Sequence, residues 1–162
     1  MIEKINNIFH LSGRDMSYVI VITDAGAAVH SYFGKKIRVN ENYKSDLILG
    51  EGGWAPMLST GETYEKSMTE YPSYGYADLH YPAYQAKNSD GNYISYLEYK
   101  DYKIYNGTYE IEGMPELFEG ENHAQTLELM LEDKLTGLEV TLMYTVFEEY
   151  NIILLSIILA KS

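Results

Sequence analysis

The chain has no cysteine among its 162 residues, and it is poor in tryptophan, proline and basic side chains. The absence of cysteine excludes a disulfide framework and thiolate metal sites. Lysine and arginine total 12 against 24 acidic residues, so the formal net charge is −12. This balance argues against nucleic acid or an anionic membrane surface as a partner. No apolar run is long enough to span a membrane, since the run from Ile152 to Ala160 is short and contains Ser156.

The opening segment, Met1-Ile-Glu-Lys-Ile-Asn-Asn, is polar and lacks the apolar core of a secretion signal, so we predict a cytoplasmic location. Asn106-Gly-Thr108 fits the glycosylation pattern, but without a secretion signal it indicates a hairpin turn. The length and the 46% hydrophobic content predict one domain over 1–162 with a real core. No internal repeat or low-complexity segment is visible.

Alternation of apolar and polar residues dominates the second half of the chain. It runs from 126 to 133 and again from 138 to 147, with turn residues at Thr136-Gly137 between the two runs. Side chains leave a pleated strand on opposite faces, so a period of two indicates strands. The pattern predicts an antiparallel sheet with one face in water and one face in a core.

The first half predicts a meander of three strands at 8–12, 17–23 and 27–33, joined by short turns. Tyr93 to Tyr105 favours a long strand with a bulge, and Asn88-Ser-Asp-Gly91 favours a hairpin turn. The final apolar run, 152–160, predicts a strand buried on both faces. Eight to ten strands and no ordinary helix indicate an all-β fold, either an antiparallel β-sandwich or an open barrel.

Residues 38–80 form a long irregular segment within this domain, rich in glycine, proline and aromatic side chains. Loops of this length in compact domains are often functional. Its rings, which include Trp54 and Tyr74, have the chemistry to stack on the C–H faces of sugars. They could instead cover the edge of the sandwich, and the residues alone favour this second interpretation.

Catalytic and metal-binding patterns are weak. His10 and His30 lie in predicted strands and are interpreted as structural, whereas His80 stands near Asp78 without a nucleophile in view. The histidines do not pair at ligand spacing, and no glycine-rich loop has the lysine and helix of a phosphate site. The many acids are interpreted as a solvated face. We predict no metal site, no cofactor and no catalytic residue in this chain.

Several segments, in order and at consistent spacing, resemble the N-terminal domain of bacterial α-galactosidases of glycoside hydrolase family 36. The most specific is the run from Ala124 to Phe147, which covers two strands and their turn. The others are Ile8-Phe-His-Leu11, Ser17-Tyr-Val-Ile20, His30-Ser-Tyr-Phe-Gly34, Glu70-Tyr-Pro-Ser-Tyr-Gly75 with Asp78 and Pro82-Ala83, Tyr102-Lys-Ile-Tyr105 and Gly113-Met-Pro115.

The resemblance implies a supersandwich-like β-domain, of which this chain would be an incomplete part. It implies a longer enzyme that removes terminal α-galactose from melibiose-type and raffinose-type sugars, with its catalytic carboxylates in a following barrel. This domain would support homo-oligomerisation and help to wall the sugar pocket, and the partners would be α-galactoside sugars. The chain alone would be inactive.

The resemblance also implies which residues could contact sugar. Family members carry an Asp-Arg-x-Phe-Ser segment in the long loop, but here the stretch reads Leu47-Ile-Leu-Gly-Glu-Gly-Gly-Trp-Ala-Pro56, without that aspartate and arginine. Trp54 is the candidate for the aromatic position and Glu51 is the nearest acid. Asp78 matches its motif position, and Tyr74 lies inside the Glu-Tyr-Pro motif. These four residues are the predicted substrate-binding set.

Two alternatives to a domain of a larger enzyme stay open. The chain could be a free-standing carbohydrate-binding module, which would lose sugar binding on Trp54→Ala and Tyr74→Ala. It could also be a structural interaction domain that binds no sugar and self-associates, with the strand at 152–160 as the contact.

Overall fold

The computed structural model describes residues 1–43, 68–75, 81–109 and 124–161. Five strands form the first sheet, in chain order and with antiparallel neighbours. They are β1 (Ile2–Ile5), β2 (Ile8–Ser12), β3 (Met16–Ile22), β4 (Ala28–Lys35) and β5 (Met68–Thr69).

Four longer strands form the second sheet, again in chain order and antiparallel. They are β6 (Glu98–Asn106), β7 (Ala124–Asp133), β8 (Leu138–Phe147) and β9 (Ile152–Lys161). A single 3-10 turn, Glu148–Tyr150, joins β8 to β9. The described residues contain no α-helix, and the predicted antiparallel β-sandwich is confirmed.

The alternating sequence of β7 and β8 sets their register. Leu129 pairs with Leu142 and Leu131 with Val140, and all four side chains are buried on one face. Gly137 closes the turn with a φ of 70°, a value that glycine adopts without steric cost. The predicted one-sided pattern therefore produces the core face of the second sheet.

The core lies between the two sheets. Phe9 of β2 packs against Tyr99 and Tyr102 of β6, with ring centroids 6.2 and 5.3 Å away. Further along, Tyr18 of β3 packs against Tyr144 of β8 at 6.0 Å. Aromatic pairs in tilted and edge-on geometry thus join the sheets at both positions.

The first sheet is also covered on its other face. Val19 and Val21 of β3 are buried there, and the segment after β4 packs over them through Ile37, Val39 and Tyr43. Burial on both faces explains why β3 reads as a continuous β-branched run and not as an alternation. This covering segment is the described start of the irregular stretch predicted over 38–80, which also contains β5.

The strand predicted from Tyr93 to Tyr105 starts later, at Glu98. Its predicted bulge is present, as a register shift between Tyr99 and Asp101. Before Glu98 the backbone N–H groups bond elsewhere: Ser95 donates to Tyr74 O at 3.0 Å and Tyr96 to Asp133 Oδ2 at 3.2 Å. These contacts replace a strand ladder over 93–97, so Asn88–Gly91 is a turn but not a hairpin turn.

Two further expectations differ from the structure. β1 was not expected from its polar sequence; it forms because Ile2 is buried and its N–H donates to Gln125 Oε1 at 2.6 Å. The prediction that 152–160 is buried on both faces is wrong. β9 is the edge of the second sheet, and its core-face residues Leu155, Ile157 and Leu159 are about half exposed.

We expect truncation of a core-face side chain to cost more stability in β8 than in β9. Leu142→Ala should lower the free energy of unfolding by about 2–5 kcal/mol, since Leu142 is fully buried. Leu155→Ala, on the same face but 44% exposed, should cost less than about 1.5 kcal/mol. Urea unfolding monitored by tyrosine fluorescence measures both values, and equal losses would contradict the open face of β9.

Candidate functional site

The Glu-Tyr-Pro motif is held at its first residue by contacts to both sheets. Glu70 directly follows β5, and its N–H donates to Ala28 O at 2.9 Å. Its carboxylate is buried, with 2% of the side chain exposed. Tyr18 Oη of β3 lies 2.8 and 3.0 Å from the two carboxylate oxygens, and Tyr144 Oη of β8 lies 2.5 Å from Oε2. One carboxylate therefore accepts hydrogen bonds from each sheet.

The electrostatics of this cluster keep both tyrosines as donors. Burial raises the pKa of Tyr18 and of Tyr144 well above the ordinary value, and the negative charge of Glu70 raises both further. His30 Nδ1 lies 3.3 Å from Glu70 Oε1, out of line for a hydrogen bond. The Tyr18 ring tilts against the His30 ring at 4.7 Å, so the imidazole packs beside the carboxylate.

The rest of the motif is fixed against the segment before β6. Ser73 Oγ donates to Ser95 O at 2.7 Å, and Ser95 N–H donates to Tyr74 O at 3.0 Å. Gly75 is needed at this contact, because a Cβ there would lie 2.8 Å from Ser95 O. Tyr71 stacks on Tyr84 with centroids 5.4 Å apart and planes 9° apart. The backbone that carries Tyr74 is accordingly rigid.

A second buried carboxylate, that of Asp133, bonds the Ser95 side chain and so stabilises the segment that contacts the Glu-Tyr-Pro motif. Asp133 ends β7, and its Oδ2 accepts from Ser95 Oγ at 2.9 Å, while Leu135 N–H donates to Oδ1 at 2.9 Å. Tyr84 Oη lies 2.6 Å from the same Ser95 hydroxyl. Burial alone would raise the pKa of Asp133, but the donated hydrogen bonds outweigh it and lower that pKa.

Tyr74 itself points outward. It is 56% exposed and lines a shallow groove of about 220 Å³ with Gln85 and Tyr93. An exposed ring beside an amide side chain suits a sugar, whose C–H faces stack on rings and whose hydroxyls bond to amides. The described lining offers recognition chemistry, since Tyr74, Gln85 and Tyr93 include no nucleophile paired with a base.

Comparison with known proteins decides the family. The family sequence model described as "Glycosyl hydrolase family 36 N-terminal domain" matches residues 26–161 of this chain. This chain belongs to glycoside hydrolase family 36. Its N-terminal domain fold accounts for the two sheets described above.

Relatives and solved structures of this family resemble the chain along most of its length. α-Galactosidase AgaA of Geobacillus stearothermophilus is 36% identical over 149 residues, which is 90% of this chain and 20% of the relative. α-Galactosidase Mel36A of Lactobacillus acidophilus is 36% identical over 160 residues, 94% of this chain and 21% of the relative. The crystal structure of the α-galactosidase from Lactobacillus brevis superposes with a TM-score of 0.87 at 28% identity, covering 96% of this chain and 22% of that one. The chain thus spans about a fifth of these family 36 enzymes.

Within this family 36 domain, the structure places only part of the predicted substrate-binding set. Tyr74 is exposed, and its contact with sugar stays a prediction. Trp54, Glu51 and Asp78 lie outside the described residues, so their grouping with Tyr74 stays a prediction. His10, predicted to be structural, is buried and lies 2.8 Å from Ser17 Oγ.

Sequence reasoning missed the two buried carboxylates, because it interpreted the acids as a solvated face. Glu70 could have been found from its place at the head of the motif, between a short strand and a proline. Asp133 could have been found as the last residue of an alternating strand, on the parity of the buried leucines. In the described ranges no three His, Cys, Asp or Glu side chains are grouped for a metal ion, and no helix is long and apolar enough to cross a membrane.

Removing one donor from Glu70 should destabilise the fold. Tyr144→Phe keeps the ring but removes one of the two hydroxyl donors that the described residues supply to the buried carboxylate, so the free energy of unfolding should fall by about 1–3 kcal/mol. Tyr150→Phe, at an exposed tyrosine, is the matched control and should change it by less than about 0.5 kcal/mol. Equal urea midpoints for wild type and Tyr144→Phe would show that the hydrogen bond contributes nothing.

Asp133 should make stability depend on acid pH. Its pKa in the folded state is lowered from an ordinary value of 3.8, so its stabilising contribution is complete above that pH and is lost as the pH falls through the folded-state pKa. The difference in unfolding free energy between wild type and Asp133→Asn should be largest near pH 7 and should shrink below about pH 4. Asp101→Asn, which removes an exposed carboxylate, is the control and should show a smaller difference throughout. A difference that grows on acidification would contradict this assignment.

Proposed function

We propose that this chain acts as the N-terminal, non-catalytic part of an α-galactosidase that hydrolyses terminal α-galactosides of the melibiose and raffinose type. The observation that supports this most directly is the family match over 26–161, combined with coverage of only about a fifth of its α-galactosidase relatives. Variants of AgaA from Geobacillus stearothermophilus have been solved with raffinose and with stachyose, and they superpose on this chain with TM-scores of 0.79 and 0.82. The catalytic carboxylates would belong to a barrel outside this chain, and the 162-residue chain alone would be inactive.

In this proposal, the long loop helps to wall the sugar pocket. The support lies in the contacts at the C-terminal end of this loop. Glu70 is bonded to both sheets and Gly75 lies against Ser95, so the backbone of Tyr74 is held while its ring is exposed. A recognition group performs best when its backbone is already ordered. Trp54, Glu51 and Asp78 would complete the contact to the sugar.

The chain would also contribute to a larger assembly, as an incomplete part of a bigger N-terminal domain and as a homo-oligomer contact. The support is β9, whose Leu155, Ile157 and Leu159 leave an apolar strip of the core face uncovered. An exposed apolar edge strand of this length can pair with further strands of the same protein or with another chain. The absence of cysteine accords with a reducing compartment, and a cytoplasmic location belongs to the same proposal.

The exposed pair of Tyr74 and Tyr93, which line one groove, favours one other function, a free-standing carbohydrate-binding module. Such a module would bind sugar without any connection to a catalytic barrel. The two functions differ in whether hydrolytic activity accompanies the chain in its source cells.

Immunoprecipitation from source cells tests the choice. An antibody against this chain should recover a protein several times larger than 18.5 kDa, and the precipitate should hydrolyse an aryl α-galactoside, whereas the purified 162-residue chain should not. An aryl β-galactoside is the matched control substrate and should remain intact. A band at 18.5 kDa without hydrolysis would overturn the enzyme proposal in favour of the module.

A further inference from the structure

A second, larger groove opens on the other side of the segment that supports Tyr74. It has a volume of about 500 Å³ and lies between the turn at 87–92 and the β7–β8 turn at 133–137, with Lys161 of β9 at its rim. This volume is within the range of small-molecule sites in proteins. Tyr74, the member of the predicted substrate-binding set that lies in the described ranges, does not line it.

The walls of this groove are held by hydrogen bonds. On one side, Asn88 Nδ2 donates to Asn92 Oδ1 at 2.8 Å and to Ile94 O at 2.7 Å, and Asn92 Nδ2 donates to Asp90 Oδ2 at 2.6 Å. On the other side, Asp133 orders the β7–β8 turn through the N–H groups of Leu135 and Thr136. A ligand would therefore meet a shape that is already formed, which lowers the entropic cost of binding.

The charges of the groove's described lining balance locally, although the chain carries −12 overall. Lys87, Lys161, Asp90 and Asp133 are its charged lining residues in the described ranges. Among the described residues neither lysine pairs with a carboxylate, whereas Lys100 lies 3.0 Å from Glu132 and 2.7 Å from Glu139. The groove thus offers two cationic donors without creating a net charge, which favours a neutral polar ligand over an anion.

An aromatic ring adds an apolar surface. Tyr96 is 40% exposed, lines the groove and is held by its backbone N–H on Asp133 Oδ2. Ile94, also exposed, extends the apolar surface on the same segment. Sugars present hydroxyls that donate and accept hydrogen bonds and C–H faces that pack on rings, so they match both parts of this lining.

We propose that this groove binds a neutral oligosaccharide with α-galactosyl ends, through the ring of Tyr96 and the ammonium groups of Lys87 and Lys161. Only the choice of α-galactosides as the sugar class rests on the function proposed above. Ser95 connects the two surfaces, since its backbone bonds Tyr74 and its hydroxyl bonds Asp133. A sugar in the groove would thus lie against the same segment that fixes the exposed Tyr74.

The test is an NMR titration of the 15N-labelled 162-residue chain with raffinose. Resonances of residues 87–96 and 133–137 should shift, with a Kd on the order of 1 mM for such an open groove. Tyr96→Ala should raise the Kd about tenfold by removing the stacking surface. The double variant Lys87→Ala and Lys161→Ala should raise it severalfold, and it retains the test if Tyr96→Ala fails to fold. Tyr150→Ala, an exposed tyrosine at the opposite end of β8, is the matched control and should bind raffinose as the wild type does.

Three outcomes would overturn the proposal: no shift at the highest soluble raffinose concentration, unchanged affinity in both groove variants, or shifts confined to the groove of Tyr74 and Tyr93. Equal binding of maltotriose, which has no galactose, would overturn the α-galactoside class. The immunoprecipitation result depends on none of these values, so failure of the groove and failure of the enzyme proposal can be told apart. A raised Kd for raffinose in both groove variants, with the control unchanged, supports the site.

Discussion

The buried carboxylate of Glu70 is the constraint on which the arrangement of the two sheets depends. A charged group removed from water is tolerated only when donors replace its hydration, and here one donor comes from each sheet, Tyr18 and Tyr144. The requirement acts in both directions. The tyrosines, which are buried and hard to ionise, also need an acceptor. This cluster, together with the contacts of Phe9 to β6, therefore holds the sheets against each other, and it also fixes the start of the Tyr74 segment.

Much of the fold follows from the sequence, and the reasons for the exceptions are physical. Alternation in β7 and β8 predicts both strands and the face that they bury, because the period of a strand is fixed by its geometry. The register of 93–97 could not be read in the same way, since its N–H groups bond Tyr74 and Asp133, which are far away in the sequence. The exposure of β9 depends on which strands lie opposite it, and an apolar run does not encode that.

For the candidate site, the motif predicted Tyr74 as a substrate-binding residue, but the contacts that hold its backbone depend on tertiary structure. In sequence, Glu70 and Asp133 resemble the chain's many solvated acids. Only the fold distinguishes them, because it buries their side chains. Gly75 shows the same dependence in the backbone. A side chain is excluded there because its Cβ would lie 2.8 Å from Ser95 O, and the local turn alone does not reveal this. A residue that recognises a ligand can be identified from a sequence motif. A residue that holds it in place is identified from its neighbours in the folded structure.

Every strand in the described sheets pairs with its neighbour in the chain, and this has a consequence for how the protein folds. Five of the seven strand pairs are joined by five residues or fewer, so most ladders can form without closing a long loop. Each meander can thus gain structure from local encounters. The entropic barrier is then concentrated in docking one sheet on the other, where the contacts join residues as far apart as Ile2 and Gln125. Folding speed should accordingly be governed by this docking step, not by the assembly of either sheet.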